Sequence, residues 1–267
     1  MEKPGMEKTR SEIAVIPIAI VLVGGFLWYE FLSRPVSESE RLLVPDFASI
    51  KDVRTKKETF FDFMLPIVRR ANDEVRKDRG RLKRIARSLD GGNKANEDDA
   101  RFLSELALRY RLKSEPLTDP DVIQQLLIRV DTVPASLVLA QSANESAWGT
   151  ARFARDGNNY FGIWCWKRNC GLVPNDRDEG ARHEVASFDT IRMSIDYYLL
   201  TLNSHPAYDT LREIRATLKL RDMPVKGWDL AAGLIAYSER REAYVDEIRA
   251  MIEINDLHQY TRINYDF

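Results

Sequence analysis

Between Asp131 and Arg152 lie twenty residues, and Glu145 is the only ionisable one among them. On a helix Leu137, Gln141 and Glu145 form an i, i+4, i+8 row, with Trp148 about one turn further on. A carboxyl on an apolar and amide stripe is partly desolvated, which favours its neutral form and raises its pKa. A carboxylic acid that keeps its proton near neutral pH suits general acid catalysis, the protonation of a leaving oxygen. The same pattern also fits a helix-end glutamate that merely reaches solvent. Downstream, Gly157 to Val173 combines Gly-Asn-Asn, clustered aromatics and Cys-x4-Cys, which reads as loop and short strands.

Other chemistries find less support. His183, His205 and His258 are the only histidines, and no His-Glu-x-x-His or paired metal-ligand spacing occurs. Gly91-Gly92-Asn93-Lys94 lacks the phosphate-loop pattern and a preceding strand, and no Gly-x-Ser-x-Gly element is present. We therefore expect no metal and no organic cofactor.

The elements that must position these residues are mainly helical. Phe60, Phe61, Met64, Ile67 and Val68 recur at helical spacing, as do Phe102, Leu103, Leu106 and Tyr110. Asp90-Gly91-Gly92-Asn93 divides that region in two. Asp119 and Pro120 have the character of an N-cap and first helical residue for a helix to Val130. Pro134 opens a helix to about Trp148, His183–Phe188 is a short extended segment, and Asp189 caps the next helix. Further helices are expected around 208–220, 228–237 and 241–254.

In total, 267 residues with 40 basic and 41 acidic side chains, 44% hydrophobic and 30% charged, are enough for one full core. The net charge of −1 removes a global argument for nucleic acid. Residues 69–87 hold nine basic and three acidic side chains, which suits either an anionic partner or a solvated helix face. Ile13 to Tyr29 is uncharged over 17 residues, with Trp28 and Tyr29 at its end and Lys3, Lys8 and Arg10 before it. This predicts a transmembrane anchor with an exported body; a cleaved signal or a buried apolar helix are the rival readings.

The run Leu-Val-Leu-Ala-Gln-Ser-Ala-Asn-Glu-Ser-Ala-Trp-Gly (137–149), with Gly-Asn-Asn-Tyr-Phe-Gly-Ile-Trp (157–164), resembles bacterial peptidoglycan glucosaminidases. Cys165–Pro174, His183–Phe188, Leu202–Tyr208, Ala236–Arg240 and Lys56–Pro66 extend the match over about Thr55 to Leu257. As a whole the chain resembles the Bax-like glucosaminidases of glycoside hydrolase family seventy-three, in the lysozyme-like superfamily.

The resemblance implies a mainly α (α+β, lysozyme-like) fold, a helical core with a small β-containing lobe over the cleft, to which the apolar N-terminal run adds one expected transmembrane helix. It implies cleavage of the β-1,4 bond after N-acetylglucosamine in peptidoglycan, with Glu145 as acid and Tyr237 facing the same cleft. Gln141, Trp148, Asn159, Phe161, Gly162 and Trp164 become the candidate sugar contacts, with core packing the alternative for Phe161, Trp164 and Trp166. For a second carboxylate, Glu184 ranks before Asp176, Asp178, Glu179 and Asp189, and a substrate-assisted route needs none. In an exported body Cys165 and Cys170 read as a disulfide, a catalytic thiol being the other reading.

The expected organisation is a cytoplasmic tail (1–12), a transmembrane anchor (13–32) and a linker (33–50). The glucosaminidase domain (51–258) follows, with its helical extension (51–115), and then a C-terminal tail (259–267). The partners are then peptidoglycan strands and the membrane, and the location is the inner membrane with the domain outside the cytoplasm. A muramidase, a lytic transglycosylase and an inactive glycan-binding scaffold are the alternative functions.

Overall fold

The computed structural model describes residues 43–112, 117–175, 177 and 180–260. Its longest element, α1 (Val53–Asp90), starts where the Asp52 carboxylate accepts from the Thr55 amide, and it ends at Gly91. Pro66 lies inside it and removes one helical hydrogen bond. On the Pro66 side, Phe60, Phe61, Met64, Ile67, Val68 and Ala71 enter the main core. Further along, Leu82, Ile85 and Ala86 enter a second core with α2 (Glu97–Arg109) and α3 (Pro120–Arg129). Asp119 caps α3 and Pro120 opens it, as the sequence predicts.

The centre of the main core is α4 (Ala135–Glu145), in which every side chain from Ala135 to Ala143 is buried. It packs against α1, α8 (Gly227–Leu230), α9 (Glu242–Ile254) and the final turn Leu257–Tyr260. A helix enclosed on all sides has no face for charge, which explains the ion-free run. After α5 (Arg152–Gly157) come three short strands, β1 (Trp164–Cys165), β2 (Gly171–Leu172) and β3 (Glu184–Ala186). The central β3 pairs antiparallel with both neighbours. The chain continues through α6 (Ile191–Ser204) and α7 (Asp209–Leu220).

Asp131, 3% exposed, joins the two cores. Its carboxylate accepts from Lys219 at 2.7 and 2.8 Å and lies 3.5 Å from Arg79 and 3.7 Å from Arg215. Burial alone would raise its pKa, but Arg215, Arg79 and Lys219 together outweigh it and the net shift is downward.

Several expectations need correction. The N-terminal transmembrane helix is not part of this fold: among the described residues no helix is long and apolar enough to cross a membrane. Helix α4 is apolar but only 11 residues long, whereas α1 has 38 residues and is laced with charge. The expected anchor at 13–32, the tail at 1–12 and the last residues, 261–267, lie outside the described residues. Within the segment expected as linker, Phe47 is 2% exposed and packs on Phe60 and Phe63. The α6 N-cap is Thr190 rather than Asp189, because the Thr190 hydroxyl accepts from the Met193 amide. Much of the basic 69–87 stretch is paired: Arg76 with Asp73, Lys77 with Glu74, Arg79 with Asp131 and Arg81 with Asp99.

Candidate active site

Helix α4 stops at Glu145, two to three residues before the predicted end near Trp148. Ala147, Trp148 and Gly149 have φ of 48°, 61° and 76°, a left-handed turn that no α-helix continues through. Ser146 holds the turn: its hydroxyl donates to the Ser142 carbonyl (2.6 Å) and accepts from the Gly149 amide (2.8 Å). Gly149 is required twice, by its φ and because a Cβ would lie 2.4 Å from the Phe47 ring. Trp148 meets Phe60 and Phe61 edge-on at 5.8 and 5.3 Å between centroids. The chain thus turns away sharply and leaves Glu145 at a half-buried helix end.

One oxygen of Glu145 is held from beneath. The Tyr244 hydroxyl donates to Oε1 (2.7 Å) and accepts from Gln141 Nε2 (2.9 Å). Gln141 Oε1 in turn accepts from the Tyr198 hydroxyl. The three buried members, Tyr198, Gln141 and Tyr244, are thus hydrogen-bonded in a line that ends on Glu145. The other oxygen, Oε2, faces Gly162, where a Cβ would stand 3.4 Å away and φ is 62°. A side chain there would crowd the carboxyl on its open side.

Burial is the largest influence on Glu145 and pushes its pKa up. Hydrogen bonds from Tyr244 and Asn144 act against it, Glu247 adds to the rise and Arg240 opposes it, with the net shift upward. The carbonyl end of α4 acts in the same direction, since it disfavours negative charge. Tyr198, Tyr208, Tyr237 and Tyr244 are all raised, chiefly by burial and also by the Glu145 charge, and the hydroxyls of Tyr198, Tyr237 and Tyr244 act as donors.

The wall opposite the acid is a loop built by one side chain. Asn159 Oδ1 accepts from the Phe161 and Ile163 amides, while its Nδ2 donates to the Ile163 and Ala186 carbonyls, each at 2.8 Å. Phe161, 1% exposed, stacks on Tyr198 at 4.1 Å. The Tyr237 hydroxyl donates to the Phe161 carbonyl (2.7 Å), and the Tyr237 ring lies parallel to that of Tyr244 at 5.4 Å. Asn159 and Phe161 are therefore interior groups that shape the wall, and Gln141 is an interior group beneath the acid. Trp148 packs on the core, whereas Trp164 is 49% exposed.

Glu184, the carboxylate ranked first as a partner for Glu145, lies in the strand hairpin. It stands opposite Cys165 in the ladder, 6% exposed, and accepts from the Asn169 amide (3.0 Å) and the Gly171 amide (2.9 Å). Burial would raise its pKa, but the amides of Asn169, Gly171 and Cys170 and the charge of Arg177 outweigh that and lower it. It is a clamp on the hairpin that Cys165 and Cys170 close by their disulfide. Cys165, Cys170 and Glu184 also form a cluster of potential metal ligands, but both sulfurs are spent on each other. Asp176, Asp178 and Glu179 lie outside the described residues, and Asp189 is exposed.

Sequence reasoning missed Tyr244, Tyr198 and the Arg240–Glu247 pair (2.8 Å), whose charges reach Glu145. Arg240 does stand at the end of the Ala236–Arg240 segment, but its partner is seven residues away across a turn at Arg241, φ 49°.

Comparison with known proteins gives two matches. The glucosaminidase family model, described as mannosyl-glycoprotein endo-beta-N-acetylglucosaminidase, matches residues 121–257, a span that contains Gln141, Glu145, Tyr237 and Tyr244. The chain is also 31% identical over 223 residues to Protein bax of Escherichia coli (strain K12), covering 84% of this chain and 77% of that protein. No solved structure matches the chain.

Proposed function

We propose a reaction for this chain on the premise, shown by both matches, that it belongs to the glucosaminidase family and is of the Bax-like kind, a glycoside hydrolase acting on glycans. The substrate is peptidoglycan, and the bond cut is the β-1,4 bond after N-acetylglucosamine. Glu145 protonates the leaving oxygen. The observation that carries this reading is the half-buried Glu145 at the end of α4, its pKa raised, with Oε1 fixed by Tyr244 and Oε2 turned toward the Gly162 wall. In that setting Tyr237 is a positioning residue, tying the wall to the acid through the Phe161 carbonyl.

Because Glu184 is committed to backbone amides, we favour a route that uses one carboxyl. The substrate's N-acetyl oxygen attacks the anomeric carbon as Glu145 delivers its proton to the departing oxygen. Water then opens the cyclic intermediate and returns a proton to Glu145. The same single-acid arrangement supports a lytic transglycosylase, in which a sugar hydroxyl replaces the water. Mass spectrometry of fragments released from purified peptidoglycan separates the readings. Reducing N-acetylglucosamine ends are expected; reducing N-acetylmuramic acid or anhydro ends would overturn the bond assignment. We also place the body outside the cytoplasm, with the Cys165–Cys170 disulfide in support.

A further inference from the structure

We infer that a groove between α1 and α6 binds a linear phosphate polymer, held by Arg70, Lys77, Arg84 and Arg192. The groove has a volume of about 660 Å³, within the range of roughly 300–1,000 Å³ typical of ligand sites. Arg70, Arg76, Lys77 and Arg84 enter it from α1, and Arg192 enters from the first turn of α6. Asp73 and Glu74 are the only carboxylates that line it, so a local positive excess stands in a chain of net charge −1. The groove is separate from the catalytic cleft. Arg70 and Arg84 stand about 14 and about 35 Å along α1 from Phe61, the residue that meets Trp148 beside the acid.

Charge pairing within the groove is incomplete. Asp73 takes Arg76, Glu74 takes Lys77 (2.7 Å), and Asp196 takes Arg192 through both oxygens (2.8 and 2.9 Å). Among the described residues, the exposed side chains of Arg70 and Arg84 take part in no ion pair or hydrogen bond. Cations also converge from the two helices. Glu74 holds Lys77 above its usual pKa, and the Arg192 charge opposes that rise from the other side of the groove. A face that merely solvates one helix does not gather cations from a second.

Spacing and composition define the ligand. Arg70, Lys77 and Arg84 recur every seven residues, which sets them on one face of α1 in a row about 21 Å long. Gly80 leaves a gap in that row, and Arg84 Nη1 lies over it, 3.8 Å from where a Cβ would stand. The guanidinium thus reaches one turn back toward Lys77. A single anion meets one of these cations, whereas a chain of anionic groups meets all three. Guanidinium forks match phosphate, and the three acceptor oxygens around one phosphorus bridge neighbouring cations better than the two coplanar oxygens of a carboxylate. Among the described residues, charged side chains and Gly80 alone line the groove. It therefore offers no aromatic face for nucleic-acid bases and no apolar anchor for a lipid or a folded partner.

The test titrates the full chain with long-chain inorganic polyphosphate at several salt concentrations. The long chain should bind at least about tenfold more tightly than tripolyphosphate, which is too short to reach all three cations. Arg70→Gln combined with Arg84→Gln should weaken binding by about tenfold and lower the slope of log affinity against log salt by about two. Lys94→Gln combined with Arg221→Gln, which removes two exposed cations off the groove, should stay within about twofold of the parent. No binding of polyphosphate by the parent, or equal losses in the two double variants, would overturn the site. Equal affinity for tripolyphosphate and the long chain would overturn the linear ligand. Poly-glutamate bound as tightly as polyphosphate would overturn the phosphate assignment. Capture by phosphatidylglycerol vesicles without polyphosphate binding would put a membrane surface in its place.

Discussion

Glu145 owes its chemistry to two neighbours of opposite effect. The apolar helix end raises its pKa, and the Tyr244 hydroxyl restrains the rise by donating to Oε1, an interaction that favours the ionised form. The acid must be protonated to act, so kcat declines as pH rises past its pKa. Replacing Tyr244 by Phe removes the restraint, raises the pKa further, and should move the alkaline limb of the kcat profile to higher pH. The same change leaves Gln141 Nε2 without its acceptor and should cost about 1–3 kcal/mol in a urea melt. An unmoved alkaline limb would show that this hydrogen bond does not tune the acid. At this scale Glu145 and Gly162 were legible, the first because its helix holds no other charge. Tyr244 was not, because in sequence it is one more apolar-face residue alongside Val245, Ile248 and Ile252.

Helix α4 and the left-handed turn after it work as one device. The turn ends the helix at the carboxyl and directs Trp148 into Phe60 and Phe61, so packing offsets the strain of two non-glycine residues with positive φ. Gly149→Ala should therefore destabilise by about 1–3 kcal/mol, read by thermal or urea unfolding, because Phe47 must move and φ is unfavourable. A neutral result would mean that the Phe47 contact yields freely. The sequence marks where this helix begins, at Pro134, but not where it stops. Nothing in Ser-Ala-Trp-Gly announces three left-handed residues until Ser146 and Phe47 are seen to hold them. The same applies to Glu184: its extended segment was readable, but its commitment to the Asn169 and Gly171 amides depends on how β1, β2 and β3 pair.

Across the molecule, stability depends on the joint between the two cores. The buried Asp131 carboxylate receives Lys219 and lies beside Arg79 and Arg215. Removing the one anion leaves three cations facing each other, and Asp131→Ala should cost about 3–5 kcal/mol in urea unfolding. Since its folded pKa lies below the unfolded value, the stabilisation is present above the unfolded pKa, about 3.9, and lost as pH falls through the folded one. The parent should therefore lose stability on acidification in a way that Asp131→Ala does not. At this scale the helical body with one small sheet was readable from hydrophobic period and glycine breaks. The expected membrane helix is absent from the described fold, where the apolar helix is too short and the long one too charged.

The central claim is that Glu145 supplies the proton for glycan cleavage. It is tested most directly by comparing the parent and Glu145→Gln on purified peptidoglycan, following release of soluble fragments while binding is measured on the same samples. Loss of the acid should reduce cleavage by about 10²–10⁴-fold with binding retained. A Glu145→Gln variant that cleaves as fast as the parent would contradict the claim.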